Sequence, residues 1–364
     1  MESKNRRGKN SGIWETFKSD LKGSEITREA KHDLKDTLDF YLSDEQKTEL
    51  KQMGWFKKLV FVPFWLLKIL FFKLTPVRRL LFSLAMILFI VSFEDNSSGL
   101  VFENESLGFA ILLFILILEL KDKLIAFDEL SAGRAVQTAF MPPENPKVPG
   151  WSLWLYSRPA NSVGGDMVDL IPMDGTHFGI TLADVSGKEL GAALYMVKLQ
   201  STLRALAGDF SSLSDLGAKI NRIFHRDSES NRFATMVYIS LKKENANLKI
   251  LNAGHIPPII LSGGEITEMK KGCPAIGIKG SSKYKQESLR LKKGDYLIIY
   301  SDGVSEAVNS EGEFYGSGRF KDALLRNREL PPERMGNQLI EGVNRFVGNN
   351  KFYDDLSIVI LKKE

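Results

Sequence analysis

Beyond Trp151 the chain breaks into short apolar runs rich in Ile, Val and Tyr, at 178–183, 233–241, 248–251, 259–261, 296–300 and 356–361. Runs of that length, bounded by turn residues, predict β-strands. Helical spacing appears over 190–206, 213–224 and 332–346, with Leu213, Leu216, Ile220 and Ile223 on one stripe. The strands come in clusters and do not alternate one-for-one with helices. This predicts an α+β layered domain and argues against a doubly wound nucleotide-binding fold.

Within this region the aspartates recur at strand boundaries. Asp166 and Asp169 lie in Gly164-Gly165-Asp166-Met167-Val168-Asp169, Asp184 ends a run and leads into Val185-Ser186-Gly187-Lys188, Asp302 follows Tyr300-Ser301, and Asp354-Asp355 opens the last strand. One such aspartate is an ordinary turn former. Four recurrences, each against a hydrophobic strand, point to carboxylates converging at the ends of a sheet, where they repel one another unless a cation compensates. Hard divalent cations such as Mg2+ or Mn2+ suit oxygen ligands, and the His and Cys content is too low for an ordinary zinc site. A carboxylate-held metal pair suits hydrolysis of a phosphate ester, because the ions activate a water and offset charge on the phosphoryl oxygens.

From about residue 151 to residue 363 the chain resembles the SpoIIE/RsbU branch of the metal-dependent (PPM-type) serine/threonine protein phosphatases. The matching pieces are Gly164-Gly165-Asp166, Asp184-Val185-Ser186-Gly187-Lys188 with Ala192-Ala193, Phe233-Ala234-Thr235-Met236, Asn252-Ala253-Gly254-His255, Ser301-Asp302-Gly303-Val304 with Glu306-Ala307, and Asp354-Asp355. Met141-Pro142-Pro143 and Arg158-Pro159-Ala160 resemble that family's entry to the domain. Each piece is weak alone; their order over the whole region makes the signal specific.

The resemblance implies an α-β-β-α sandwich of two antiparallel sheets with a two-metal (Mn2+ or Mg2+) site at one edge. It implies that Asp184 bridges both ions, that the Val185 carbonyl binds one of them, and that Asp302, Asp354 and Asp166 complete the ligand set. Asp169 and Asp355 are expected to orient ligands or cap strands. Lys188 is a candidate for phosphate binding. His255 is a candidate catalytic acid, weighed against a turn beside the site. Val168, Glu189 and Ile256 depart from the aromatic, glycine and proline usual at those positions, and none of them removes a ligand. Ser186 stands where eukaryotic members carry a histidine, so that acid role does not transfer. Gly164-Gly165-Asp166 also resembles the turn of diguanylate cyclases, but Met167 and Val168 follow where those carry an acidic residue and an aromatic.

The amino-terminal part reads differently. Residues 1–79 hold 17 Lys/Arg against 11 Asp/Glu, with a solvated tail expected over 1–12, helical composition over 24–41, and a capping-box pattern at Ser43 and Gln46. No apolar segment near residue 1 resembles a signal peptide. Three apolar runs follow at 59–72, 80–93 and 107–118. Arg78/Arg79 and Lys121/Lys123 lie outside the last two, and the loop between them is acidic. This predicts a membrane hairpin over 77–120, with spans near 77–93 and 106–120 and both termini cytoplasmic. Pro63, Lys68 and Lys73 argue that 55–75 is instead an interfacial or juxtamembrane helix. An amphipathic helix over 119–141 is either a homodimerising coiled segment or a plain connection, with the linker proper at 121–141. The expected organisation is thus a basic, partly helical region over 1–54, the membrane-associated helices, the linker, and a phosphatase domain over 142–364.

A single cysteine, Cys273, excludes an intrachain disulfide and points to a reducing compartment. The net charge of +4 is too small to suggest nucleic-acid binding. The combined expectation is a phosphoserine/phosphothreonine protein phosphatase anchored in the cytoplasmic (inner) membrane, working by attack of metal-bound hydroxide on phosphorus. The resemblance implies a STAS-type anti-sigma-factor antagonist as phosphoprotein substrate. The competing expectation is a catalytically silent phosphatase-like membrane protein that binds a partner.

Overall fold

A computed structural model of the chain describes residues 42–94, 101–227, 232–243 and 245–364. The tail over 1–12, the helix expected over 24–41 and the centre of the predicted acidic loop lie outside these residues. The chain divides into two units, one ending at Leu124 and the other starting at Ile125.

The first unit is helical. Helix α1 (Asp44–Gln52) opens with the capping box read from the sequence, Ser43 and Gln46 each bonding the other's backbone N–H. Helices α2 (Trp55–Lys73) and α3 (Pro76–Glu94) follow, and α4 (Val101–Phe140) contributes to both units. Arg78 reaches from α3 to Glu119 and Asp122 on α4, each at 2.6 Å. Gly108 of α4 lies against the Ala85 carbonyl and the Phe89 ring, where an added Cβ would sit 3.3 Å from each.

Two expectations are corrected here. The third apolar run and the linker are not separate elements but one continuous helix, which ends at Phe140 before Pro142-Pro143 and already contains Glu103 and Glu105. Among the described residues, no helix is long and apolar enough to cross a membrane. The hairpin with spans at 77–93 and 106–120 is therefore not supported. Charge spacing gives the reason: residues 106–118, between Glu105 and Glu119, cover about 20 Å, and 80–93, after Arg79, about 21 Å, against a hydrocarbon core of about 30 Å.

The second unit is the predicted α+β sandwich. Its strands are β1 (Trp151–Arg158), β2 (Asp166–Pro172), β3 (His177–Val185), β4 (Ala234–Lys242), β5 (Asn247–Ala253), β6 (Ile259–Ser262), β7 (Glu265–Glu268), β8 (Gln286–Arg290), β9 (Tyr296–Tyr300) and β10 (Leu356–Lys363). They form two antiparallel sheets, ordered β1-β10-β9-β6-β7 and β2-β3-β4-β5-β8. The helices are α5 (Glu189–Leu206), α6 (Leu213–Asp227), the short α7 (Asp302–Ser305), α8 (Gly316–Arg326) and α9 (Pro332–Val347).

Period-two alternation sorts the strand residues into layers. Leu153, Leu155, Val168, Ile180, Leu182, Val237, Leu297 and Val359 fill the space between the sheets. Their neighbours point outward: Met167, Ala183, Val185 and Met236 pack under α5 and α6, and Trp154, Ile298 and Ile358 under α8 and α9. Gly336 lets α9 settle on the Trp154 ring, because a side chain there would collide with it. Fully burying aliphatic side chains of this kind is worth about 1.5–3 kcal/mol each, so three such clusters anchor the frame on which the edge is built.

Candidate metal centre

Both sheets present strand ends at one edge of the sandwich. Asp166 begins β2 and faces Asp184, near the end of β3, as a direct cross-strand partner. On the other sheet, Ser301 follows β9 and its N–H bonds the Ser357 carbonyl of β10 at 3.0 Å, so Asp302 and the Asp354-Asp355 pair are brought side by side. Asp166 shares its strand parity with Val168, and Asp184 with Leu182, both of which lie between the sheets. The alternation thus carries both carboxylates to the inter-sheet face.

Two glycines make this approach possible. A side chain at Gly164 would collide with the Asp355 carboxylate, and a Cβ at Gly165 would lie 2.9 Å from the Val185 carbonyl oxygen. Asp355 uses the space: Oδ1 accepts from the Ala160 N–H at 2.8 Å and Oδ2 from the Asp166 N–H at 3.2 Å. Ser301 ties the two strands together, its Oγ donating to the Asp355 carbonyl at 3.1 Å and accepting from the Ser357 N–H at 3.0 Å.

The electrostatics follow from burial and like charge. Asp166 is 3% exposed, and its Oδ2 is buried with no hydrogen-bond partner. Burial first, and then Asp184 and Asp355, hold its carboxyl well above the usual range. Asp184 is pushed up to about 7, by burial and then by Asp302, Asp354 and Asp355. Burial, then Asp354 and Glu306, raise Asp302. Asp355 is raised mainly by burial, in spite of its backbone donors. Among the described residues, no three acidic, His or Cys side chains stand close enough together to hold an ion as they are. The carboxylates face one another across the edge without closing to ligand distances.

Residues 174–364 match the sequence profile of the family described as Stage II sporulation protein E (SpoIIE). The chain belongs to the SpoIIE family. That match takes in Asp184, Asp302 and Asp354; Asp166 lies upstream of it. Among curated relatives, protein IcfG of Synechocystis sp. is 28% identical over 259 residues, 64% of this chain and 41% of IcfG. The phosphoserine phosphatase RsbU of Bacillus subtilis is 23% identical over 238 residues, 65% of this chain and 70% of RsbU. Among solved structures, the SiaA-PP2C domain of Pseudomonas aeruginosa aligns with a TM-score of 0.59 at 18% identity, covering 67% of this chain and 99% of that one. The phosphatase domain and a regulatory-domain fragment of SpoIIE from Bacillus subtilis align with a TM-score of 0.50 at 20% identity, covering 60% and 64%. The fold is therefore that of PP2C-type domains.

The remaining candidates of this SpoIIE-family chain fall in three places. Lys188 is at the edge: its Nζ donates to the Tyr353 carbonyl at 2.9 Å and stands 3.8 Å from Asp354 Oδ2, beside a cleft that Asp184 and Asp355 also line. His255 is buried with both ring nitrogens engaged, Nδ1 with the Thr235 hydroxyl at 2.8 Å and Nε2 with the Tyr300 carbonyl at 3.2 Å. Burial lowers its pKa to about 4, so the neutral ring donates from Nε2 and accepts at Nδ1. That arrangement matches the turn reading, because it fixes the backbone just before Ser301 and leaves no nitrogen for a leaving group. Asp169 is not brought to the edge. Its odd parity turns it to the helix side, where Arg204 of α5 grips it, Nε to Oδ2 at 2.7 Å and Nη2 to Oδ1 at 2.8 Å.

Two arginines escaped the sequence reading. Arg204 had a signal, a charge next to Leu203 on the buried stripe of α5. Arg232 bonds the Ser186 carbonyl at 2.9 Å, and side chains at Gly187 or Gly191 would run into its guanidinium. Gly187 also has φ +101°, which favours glycine on its own account. A cavity of about 900 Å³ at the opposite end of the β2–β8 sheet, lined by Asp174, His177 and Lys249, holds none of these groups.

Proposed function

We propose that the chain is a metal-dependent protein phosphatase that hydrolyses phosphoserine or phosphothreonine, with two Mn2+ or Mg2+ ions held by Asp166, Asp184, the Val185 carbonyl, Asp302 and Asp354. The observation that carries the reading is the Asp166–Asp184 pair: cross-strand neighbours, raised by burial and by like charge, one of them with a buried oxygen that no protein group satisfies. Buried carboxylates left without a cation or donor are costly. An all-oxygen donor set fits hard divalent ions, and the orphaned Asp166 Oδ2 is the donor such a site needs. When bound, these ions would offset the carboxylate charge and activate water for phosphate-ester hydrolysis.

The chain's own residues then have defined work. Asp355 keeps the 160 and 164–166 loops in register through two backbone N–H groups. Lys188, steadied by the Tyr353 carbonyl, presents an ammonium at the mouth of the cleft, where it meets a phosphoryl oxygen. His255 holds the Tyr300 carbonyl and with it the start of the Ser301-Asp302 turn. RsbU and RsbP of Bacillus subtilis are named phosphoserine phosphatases, which supports a phosphoprotein substrate. We take that substrate to be a STAS-type anti-sigma-factor antagonist in a partner-switching pathway.

The helical unit exposes Phe56, Phe61, Phe64, Phe72, Leu80 and Ile87 among its apolar residues, with Lys57, Lys58 and Lys68 interspersed. Such a surface supports attachment to the cytoplasmic face of a membrane, which flotation of the 364-residue chain with anionic vesicles tests. Exposed Leu120, Leu124 and Phe127 are the surface through which a homodimer over 119–141 would form, and sedimentation in detergent tests it. For the activity itself, phosphate release from a phosphoserine peptide by the whole chain should require Mn2+ or Mg2+ and stop with EDTA. Metal binding without any hydrolysis would favour the catalytically silent, partner-binding alternative.

A further inference from the structure

Gln137, near the carboxy-terminal end of α4, is 4% exposed and belongs to none of the phosphatase motifs. Its side-chain amide spends both ends on one residue: Nε2 donates to the Gly164 carbonyl at 2.8 Å and Oε1 accepts from the Gly164 N–H at 3.2 Å. Pairing of this kind fixes the two peptide planes that flank the partner. Gly164 and Gly165 are the freest pair of residues at the edge, and no side chain of their own can hold them. The next peptide along, the Asp166 N–H, is held by Asp355. The turn that delivers Asp166 is thus gripped at one end by an α4 amide and at the other by a carboxylate.

The grip has a fixed base. The Phe140 carbonyl, one turn beyond Gln137, accepts from Gln200 Nε2 at 3.1 Å and from Arg204 Nη2 at 2.8 Å, and Arg204 in turn holds Asp169 of β2. The end of α4 is therefore tied to both sides of the segment that carries Asp166. We propose that Gln137 is a positioning residue for the metal centre: by fixing the Gly164-Gly165 turn it sets where Asp166 meets Asp184, and so sets metal affinity without touching a metal. This rests on the two-metal reading above and adds to it a residue from the preceding helix.

Gln137→Met keeps the volume and removes both hydrogen bonds; Gln137→Glu keeps the acceptor for the Gly164 N–H but sets a carboxylate against the Gly164 carbonyl. Titrating MnCl2 into the 364-residue chain by calorimetry should give a dissociation constant about tenfold higher or more for each variant, the range seen when groups supporting a metal ligand are lost. Melting in EDTA should stay cooperative, and saturating Mn2+ should restore phosphopeptide hydrolysis to near the wild-type rate. If Q137M does not fold, Q137E carries the comparison. Wild-type affinity in a folded variant overturns the assignment, and so does a lost rate that saturating Mn2+ fails to restore. A wild-type chain that binds no Mn2+ overturns the two-metal reading, and this assignment with it; the wild-type titration tells the two failures apart.

Discussion

On the helix-facing side of β2, Asp169 is fully buried and meets the Arg204 guanidinium through two hydrogen bonds. On the inter-sheet side, Asp166, three residues earlier and almost as buried, has other carboxylates as its charged neighbours and one oxygen with no partner. The same residue type on the same strand is therefore completed by the chain in one place and left incomplete in the other. A buried charge with a built-in counter-charge belongs to the frame. A buried charge without one is where the proposed metal would supply the missing partner.

The sharpest way to break this contrast is to neutralise the incomplete side. Asp184→Asn should lower Mn2+-dependent phosphopeptide hydrolysis by more than about 10³-fold, roughly 4 kcal/mol of barrier, while a thermal melt in EDTA shows the protein folded and no less stable. Neutralising the complete side should do the reverse. Arg204→Met leaves Asp169 buried and unpaired and should cost about 3 kcal/mol or more in urea unfolding. The double change Asp169→Leu with Arg204→Met should recover a large part of that loss.

The pH dependence of the metal-free protein comes next in size. Asp184 sits near 7 when folded, above its ordinary value, so the folded state holds more protons than the unfolded one between about pH 4 and 7. Stability in EDTA should then fall as pH rises from 5 to 8, by on the order of 2 kcal/mol, and Mn2+ should remove the slope. His255 acts with the opposite sign. With a folded pKa of about 4, its ring signals should stay flat in NMR between pH 5 and 8, and its contribution to stability should fade only as pH drops from about 6.5 toward 4.

Much of this arrangement was legible in the sequence. The strands at 178–183, 296–300 and 356–361 announced themselves through β-branched and aromatic residues, and each adjoins an aspartate that the fold brings to the edge. Four strands lie outside the apolar runs of the sequence: β7, Glu-Ile-Thr-Glu, and β8, Gln-Glu-Ser-Leu-Arg, close sheet edges where one-sided burial leaves little apolar pattern, while serines and Arg158 interrupt β1 and Asp166 and Asp169 interrupt β2. Asp169 shares a motif with Asp166 but not its strand parity, which turns it to the helices and to Arg204. Arg204 and Gln137 were invisible as partners, since their targets lie 35 and 27 residues away in sequence. The hairpin expected over 77–120 is not supported, because the charges that suggest its orientation also bracket apolar runs too short to cross a membrane.

The proposed divalent-metal site stands or falls with Asp166 and Asp184, the facing carboxylates of β2 and β3. Calorimetric titration of MnCl2 into the wild-type chain, Asp166→Asn and Asp184→Asn tests it most directly. The wild type should bind saturably, Asp166→Asn more weakly, and Asp184→Asn not detectably. Equal binding by all three chains, or none by the wild type, would contradict it.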